Sequence, residues 1–425
     1  MIDIKILREN PQLVKESLQK RHSSLDKLEQ LIGLDKRRRE IIQEADSLKS
    51  ERNIITKKIS ELKSQNKPVT AEMQKARDLP EKIKELEKEL IEIEESSKSL
   101  LLRLPNILHS SVPVGRDESE NKEVYKFGNM PVFDFPAKDH QDLGIALGML
   151  DIERAAKLSG ARFYFLKGDL ALLEMSIMRF AIDHLAKKGY TLTIPPHMIR
   201  REPYEGVVSL DDFENVLYKI EDEDLYMIAT SEHPLTAQFM KETIEEQHMP
   251  IKLAGFSSCY RKEAGTHGKD TKGIFRVHQF NKVEQVVICK PEDSFQLHEE
   301  MLENVKEIHK KLELPFHVIL LCSGDTGTVS AKTYDLEAWL PTQEKYRELA
   351  SCSNCTDYQA RRLQIKYGLK DQQSKGFVHT LNSTAAVGRA LVAIMENNQT
   401  EDGSILVPKV LQPYMGKKEI TKINP

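Results

Sequence analysis

Trp, Tyr and Phe are absent from residues 1 to about 120 and frequent from Tyr125 onward. A segment without large aromatics can still fold as helices that pack one apolar stripe against another. Such a stripe is present. Leu28, Leu31, Ile41, Ala45, Leu48, Arg52, Ile55, Ile59 and Leu62 follow spacings of three and four, and Asp35 and Arg38 occupy the two positions where it would otherwise continue. Gln65-Asn66-Lys67-Pro68 interrupts the pattern, and Ile83, Leu86, Leu90, Ile93, Ser97, Leu100 and Leu104 resume it. An a/d seam on both sides of a proline-bearing break predicts an antiparallel coiled-coil hairpin. At ~1.5 Å per residue each arm is roughly 50–60 Å long.

Lys36-Arg37-Arg38-Arg39, Lys49, Arg52, Lys57, Lys58 and Lys63 lie along this segment. Two readings of them stand. One is a solvated coiled-coil face, with Glu40, Glu44 and Glu51 interleaved as i,i+4 partners. The other is an arm that contacts nucleic-acid phosphates, because four consecutive cations cannot all be neutralised within one helix.

Pro105, Pro113, Gly115, Gly128, Pro131 and Pro136 mark a linker into a second domain, so the chain divides into a helical domain, 1–110, and a larger one, 111–425. In the latter, 168–188 has a helical period closed by Gly189, and 292–312 is helical too. Short β-prone runs fall at 217–220, 225–228, 251–253, 275–280, 283–288 and 317–320. Strands clustered around a few helices, without strict βαβ alternation, predict an antiparallel α+β fold.

Composition narrows the class. The chain has 425 residues, a formal net charge of -4 and five Cys. No global charge demands a polyanionic partner, and five Cys do not make a disulfide framework in a chain of this length. No apolar run reaches the ~18 residues of a membrane span, and the opening MIDIKILREN lacks the apolar core of a signal peptide. A cytoplasmic protein with no membrane partner is expected.

The common nucleotide motifs are missing: there is no G-x-x-x-x-G-K-[ST] and no G-x-G-x-x-G after a strand. Ser323-Gly324-Asp325-Thr326-Gly327 reads as a turn. The densest chemistry is CYRKEAGTHGKDTKGIFRVHQFNKVEQ, from Cys259 to Gln285. Alternation puts Arg261 and Glu263 on one face of a strand, followed by a loop with Gly265, Gly268 and Gly273. A second strand is expected to carry Arg276, His278 and Phe280 on one face, then Glu284. Arginine forks suit phosphate or carboxylate oxygens; Glu263 can accept from an adenine amine and Phe280 can stack on the ring.

These residues resemble motif 2 of the class II aminoacyl-tRNA synthetases, and the heptad hairpin ahead of them is the particular mark of the seryl-tRNA synthetase family. The resemblance spans essentially the whole chain. Thr191-Leu192-Thr193-Ile194-Pro195-Pro196 is similar to motif 1, with its dimer-interface proline. Ala229-Thr230-Ser231-Glu232-His233-Pro234-Leu235 resembles a serine-binding T-x-E loop. Lys332-Thr333-Tyr334-Asp335-Leu336-Glu337 and Arg347-Glu348-Leu349-Ala350-Ser351-Cys352-Ser353-Asn354 resemble the strands leading to the ATP site. Asn382-Ser383-Thr384 and Val387-Gly388-Arg389-Ala390-Leu391 resemble motif 3.

The resemblance implies activation of L-serine by ATP, with Mg2+ and without zinc, and transfer of the seryl group to tRNA(Ser), with tRNA(Sec) a further candidate acceptor. It implies a homodimer. It assigns Arg261, Glu263 and Arg389 to catalysis, and Thr230, Glu232, Arg261, Glu284, Asn382 and either Ser383 or Thr384 to serine. ATP falls to Arg261, Lys262, Glu263, Arg276, Val277, Phe280, Glu348, Leu349, Ala350, Ser351 and Arg389, with Glu348 and Ser351 placing the divalent ion. Lys36, Arg37, Arg38, Arg39 and Arg52 are expected to meet tRNA. The family pattern places its motif-3 hydroxyl six residues before the arginine; Ser383 is six before Arg389, whereas Thr384, which fits the Asn-x-Ser/Thr pattern, is five before.

Other residues have plainer readings. Cys352 and Cys355 form a lone C-x-x-C, weak as a metal site without two further ligands. His233, His267, His278 and His379 read as structural or surface residues, with a contact to the tRNA acceptor end as the alternative for His267. Trp339 reads as core. Two rival classes remain. An amino-acid-activating relative that loads a carrier protein is expected to lack the hairpin, and a non-catalytic paralogue is expected to lose the motif arginines.

Overall fold

The computed structural model describes residues 1–209, 216–263, 272–369 and 372–423. The chain forms two compact units: Ile2–Gln19 with Ser23–Leu104, and Pro105–Pro425 with Met1 and Lys20–His22.

In the first unit the seam folds as predicted. Helix α1 spans Asp26–Ser64 and helix α2 spans Thr70–Arg103, with the break at 65–69 between them. Leu28, Leu31, Ile41, Ala45 and Ile55 of α1 and Leu79, Ile83, Leu86 and Ile93 of α2 are buried. Pro80 lies inside α2, where it removes one backbone donor without ending the helix. The polar interruption at Asp35 is a built ion pair. Arg8 Nε and Nη2 reach Asp35 Oδ1 at 3.1 and 2.6 Å, and Nε lies 3.0 Å from Oδ2. The Arg8 bond holds the Asp35 carboxyl below the usual range although burial opposes it.

The four-cation run is more fully compensated than one helix would allow. Arg37 forks onto Glu89 at 2.8 Å and Arg38 meets Glu94 at 2.9 Å, both across to α2. Arg39 lies 3.3 Å from Asp35 on its own helix. Lys49–Glu87 and Lys58–Glu72 add further cross-helix pairs at 2.8 and 2.9 Å. Lys36 and Arg52 are exposed.

The second unit is built on an eight-stranded sheet. Its strands are β1 (Lys122–Phe127), β2 (Thr191–Thr193), β3 (Ile251–Tyr260), β4 (Gln279–Cys289), β5 (Phe316–Leu320), β6 (Lys332–Leu340), β7 (Lys345–Asn354) and β8 (His379–Val387). The spatial order is β1-β5-β6-β7-β8-β4-β3-β2, antiparallel except for the β2–β3 pair. Helices α3 (Gly168–Lys187) and α4 (Ser294–Lys311) contribute Leu173, Ile177, Val305 and Ile308 to one core with Val283 and Val287 of β4. Gly189 follows α3 at φ 83°, a left-handed stop that glycine supplies without strain. Alternation along β4 turns Val283, Gln285 and Val287 towards these helices and leaves Phe280, Lys282 and Glu284 on the other face. Gln285 Nε2 donates to Met301 O of α4 at 3.2 Å.

Several expectations change. The run 217–220 forms only one bridge, Lys219 to Tyr226. Strand β3 ends at Tyr260, so Arg261 and Glu263 lie beyond it, and Glu263 turns to φ 51°. Strand β4 starts at Gln279, so Arg276 and His278 precede it. The physical reason is a side chain taking over part of the ladder. Arg261 N still donates to His278 O at 3.0 Å, but the Arg261 carbonyl accepts from the His278 ring, Nδ1 to O at 2.9 Å. Trp339 is half-buried, edge-on to Tyr346 at 5.3 Å. His267, Gly265 and Gly268 lie outside the described residues.

Candidate active site

Two irregularities in the sheet shape the face opposite α3 and α4. Register passes from Leu336–Ala350 to Glu337–Glu348, which leaves Leu349 as an extra residue on β7. It passes from Thr384–Glu284 to Ala386–Val283, which leaves Ala385 extra on β8. Bulges re-aim neighbouring side chains, and both of these border one cleft.

Arg261, Glu263, Arg276, Phe280, Glu348 and Arg389 are among the residues that line the first cavity in that cleft. Val277, Leu349 and Thr384 line it too. Its cations are held in place. Arg276 Nη1 donates to Glu263 Oε2 at 3.0 Å. Arg389 Nη1 reaches Glu348 Oε2 at 3.1 Å, and its Nε donates to Phe275 O at 3.3 Å. The Arg261 guanidinium stands over the Phe280 ring at 5.3 Å, and the Phe275 ring carries Arg347 at 4.4 Å and Arg389 at 4.7 Å. Such cation–ring contacts hold a guanidinium in place without using up its donors. Desolvation pushes the Glu348 carboxyl up, but Arg389, Arg261 and Arg276 outweigh it and the net direction is down. Asp335, opposite Ser351 in the β6–β7 register, is pushed well above the usual range by burial and then by the Glu348 charge.

The second cavity is lined by Thr230, Glu232, His233, Cys355, Asn382 and, again, Arg261. Glu232 begins the Glu232–Ala237 helix, and its backbone N–H donates to Thr230 Oγ1 at 3.2 Å. Its carboxylate accepts from Gln359 Nε2 at 2.9 Å. Desolvation, then the nearby Glu284 charge, raises the Glu232 carboxyl to about 7. Glu284 is buried against Lys282 Nζ at 2.6 Å and accepts from Thr384 Oγ1 at 3.1 Å. His233 Nδ1 lies 3.0 Å from the Tyr204 hydroxyl, and burial, then Lys282 and Arg261, holds its ring well below the usual value and therefore neutral.

The two motif-3 hydroxyls separate. Thr384 lines the first cavity and donates to Glu284, which is buried and lines neither cavity, whereas Ser383 is fully buried opposite Cys352. Ala350 is in the core. Lys262 N donates to Val216 O at 2.9 Å, and its side chain is not among those that line either cavity. Cys352 and Cys355 are buried, and burial raises both thiols, Cys352 to about 12. Among the described residues no group of three or more His, Cys, Asp or Glu is arranged to hold a metal ion. No helix among them is long and apolar enough to cross a membrane.

Comparison with known proteins decides the family. Residues 1–108 match the seryl-tRNA synthetase N-terminal domain, and residues 217–398 match the tRNA synthetase class II core domain (G, H, P, S and T). The chain is 52% identical over 423 residues to a serine–tRNA ligase of Methanospirillum hungatei, covering 99% of this chain and 100% of the relative. It superposes on the Pyrococcus horikoshii seryl-tRNA synthetase complexed with ATP at a TM-score of 0.97, with 45% identity and all of both chains covered. A Naegleria fowleri cytoplasmic serine–tRNA ligase in complex with AMP gives 0.92 at 37% identity, covering 100% of this chain and 99% of that one.

The chain belongs to the seryl-tRNA synthetase family.

Its enzyme class is that of the serine–tRNA ligases. Within this family's cleft, sequence reasoning missed Lys282, Phe275 and Gln359. The first had a signal: Lys282 stands two residues before Glu284 on a strand, so both side chains share a face. Gln359 had none, because it comes from the Tyr358–Leu363 helix and reaches Glu232 only through the tertiary fold.

Proposed function

We propose that the chain condenses L-serine with ATP and passes the seryl group to tRNA(Ser). The serine carboxylate attacks the α-phosphorus and pyrophosphate leaves; a hydroxyl of the 3′-terminal ribose then attacks the seryl carbonyl and AMP leaves. The observation that carries this reading is Arg261, the charged side chain common to both cavities. One guanidinium fork can hold the reacting carboxylate and the α-phosphate together. Arg276 and Arg389 hold the outer phosphates, Phe280 stacks on adenine and Glu263 accepts from its amine. Glu232 and Glu284 meet the serine ammonium and hydroxyl, with Thr230, Asn382 and Thr384 as further polar contacts. Removing the substrate hydroxyl leaves buried partners unpaired, which disfavours alanine. No protein nucleophile is needed; the rate comes from positioning and charge stabilisation.

Magnesium fits the donors: a Glu348 carboxylate kept ionised by arginines and the Ser351 hydroxyl are hard oxygen ligands. Bound with ATP, the ion would neutralise phosphate charge. The hairpin, with Lys36 to Arg39 and Arg52, grips tRNA(Ser) through shape and phosphates, and tRNA(Sec) is accepted on the same terms. The enzyme works in the cytoplasm as a homodimer. What supports dimerisation is the sheet-edge strand β2, with Leu192 48% and neighbouring Ile194 69% exposed. Large apolar side chains left open at an edge favour a partner surface. The test is ATP–pyrophosphate exchange and charging of total tRNA with each amino acid in turn. Serine alone should support both, and exchange driven by another amino acid instead would overturn the reading.

A further inference from the structure

The wall of the amino-acid cavity contains residues 327–330, and Cys355 adjoins it. Residues 326–330 belong to no helix or strand. An irregular segment needs partners for its backbone carbonyls from elsewhere. Here Arg21 and Asn106 reach every one of them, and only the Gly327 carbonyl also accepts from within the segment, from the Ser330 N–H at 3.1 Å. Arg21 Nη1 donates to Thr326 O at 2.7 Å and to Gly327 O at 3.3 Å, and Nη2 donates to Ser330 O at 2.6 Å. The backbone N–H of Asn106 donates to Thr328 O at 2.8 Å, and its Nδ2 donates to Val329 O at 2.9 Å. Five consecutive carbonyls are thus taken by Arg21 and Asn106. The pair is self-consistent: Arg21 Nε donates to Asn106 O at 3.1 Å. Asn106 Nδ2 also donates to Cys355 O at 2.8 Å, which ties the segment to β7's end.

We infer that Arg21 and Asn106 are positioning residues that set the wall of the amino-acid subsite. They touch no substrate. Their place in the chain is informative: Arg21 lies just before the two hairpin helices, which run from Asp26 to Arg103, and Asn106 just after them. A short segment that precedes the hairpin therefore belongs to the site that binds the small substrate. A guanidinium is suited to the task, because its N–H groups reach four carbonyls in fixed directions and a lysine ammonium has too few donors.

The inference rests on the serine reading above, and the experiment separates the two. In the full-length protein, Arg21→Ala, Arg21→Lys and Asn106→Asp are assayed by ATP–pyrophosphate exchange, below each variant's measured melting temperature. Asn106→Asp is isosteric and turns a donor into an acceptor facing two carbonyls. The KM for serine should rise about tenfold in Arg21→Ala and Asn106→Asp, and less in Arg21→Lys. The KM for ATP and kcat at saturating serine should stay within about twofold of the parent, a split that general loosening does not produce. Serine KM values within about twofold of the parent in all three variants would overturn the inference, as would serine and ATP KM values rising together. A parent protein without serine-dependent exchange would sink the serine reading itself.

Discussion

Arg37–Glu89 in the hairpin and Lys282–Glu284 in the cleft are both short ion pairs, 2.8 and 2.6 Å. The hairpin side chains are 42% and 40% exposed; those in the cleft are 7% and 3% exposed. Water and salt compete with the first pair, which therefore contributes little to stability and can give up its carboxylate for a phosphate oxygen. The second has no water to fall back on, and removing one partner strands a charge at a cost of about 3–5 kcal/mol. A cation–carboxylate pair is thus exchangeable on the arm and fixed in the cleft. The same contrast explains why burial pushes the Glu232 carboxyl of the cleft up to about 7.

The sharpest test of this contrast is Arg261→Ala. It should cut serine-dependent pyrophosphate exchange by about 10³-fold or more, with circular dichroism and oligomeric state unchanged. Parental activity in the variant would mean that the fork does no work in the cleft.

Deleting residues 30–100 should separate the two regions. Adenylation should stay within about twofold of the parent, while tRNA charging should fall about 100-fold as the phosphate contacts go. Unimpaired charging would assign the arm another role.

Glu232 makes the cleft pH-sensitive. Its carboxyl titrates near 7, so it is mostly protonated below and charged above that value. A serine ammonium needs the charged form. The KM for serine should therefore fall by up to about tenfold per unit as pH rises towards 7 and then level off. Glu232→Gln should remove that dependence; a parent profile flat from pH 6 to 8 would break the assignment.

In the hairpin, Arg8→Ala should destabilise by about 1–3 kcal/mol, because Asp35 is buried but Arg8 is partly solvated. Asp35's folded pKa is depressed, so this stability is present above its unfolded value of about 4 and is lost as pH falls through the folded value. Thermal melts at pH 7 and pH 3 should show a smaller deficit in the variant at the lower pH. The smallest effect is Arg37→Gln: no melting shift beyond about 2 °C, but a salt-dependent rise of a few-fold in the tRNA KM. A large melting loss would show that the arm's surface pairs are bound as firmly to their partners as those of the cleft.

Much of this was legible in the residue order. The hairpin needed only the three–four spacing of Leu28 to Leu104, and α3 needed only its amphipathic period and Gly189. The cleft arginines and carboxylates stood out as charges among β-prone residues. Less legible were the ends of β3 and β4, where the His278 ring takes a carbonyl that a strand partner would have taken. The choice between Ser383 and Thr384 was also closed to counting, since the extra Ala385 upsets the offset from Arg389.

Residue order alone dictated the helical seam, the α+β class and most of the charged groups that line the cleft, Lys282 excepted, because these follow from local periodicity and side-chain chemistry. It took the folded arrangement to settle that Arg8 answers Asp35, that Glu89 and Glu94 answer the basic run, that Arg21 and Asn106 hold the carbonyls of 326–330, and that Gln359 reaches Glu232. Those partners are remote in the chain, and a hydrogen bond is fixed by where two groups meet in space.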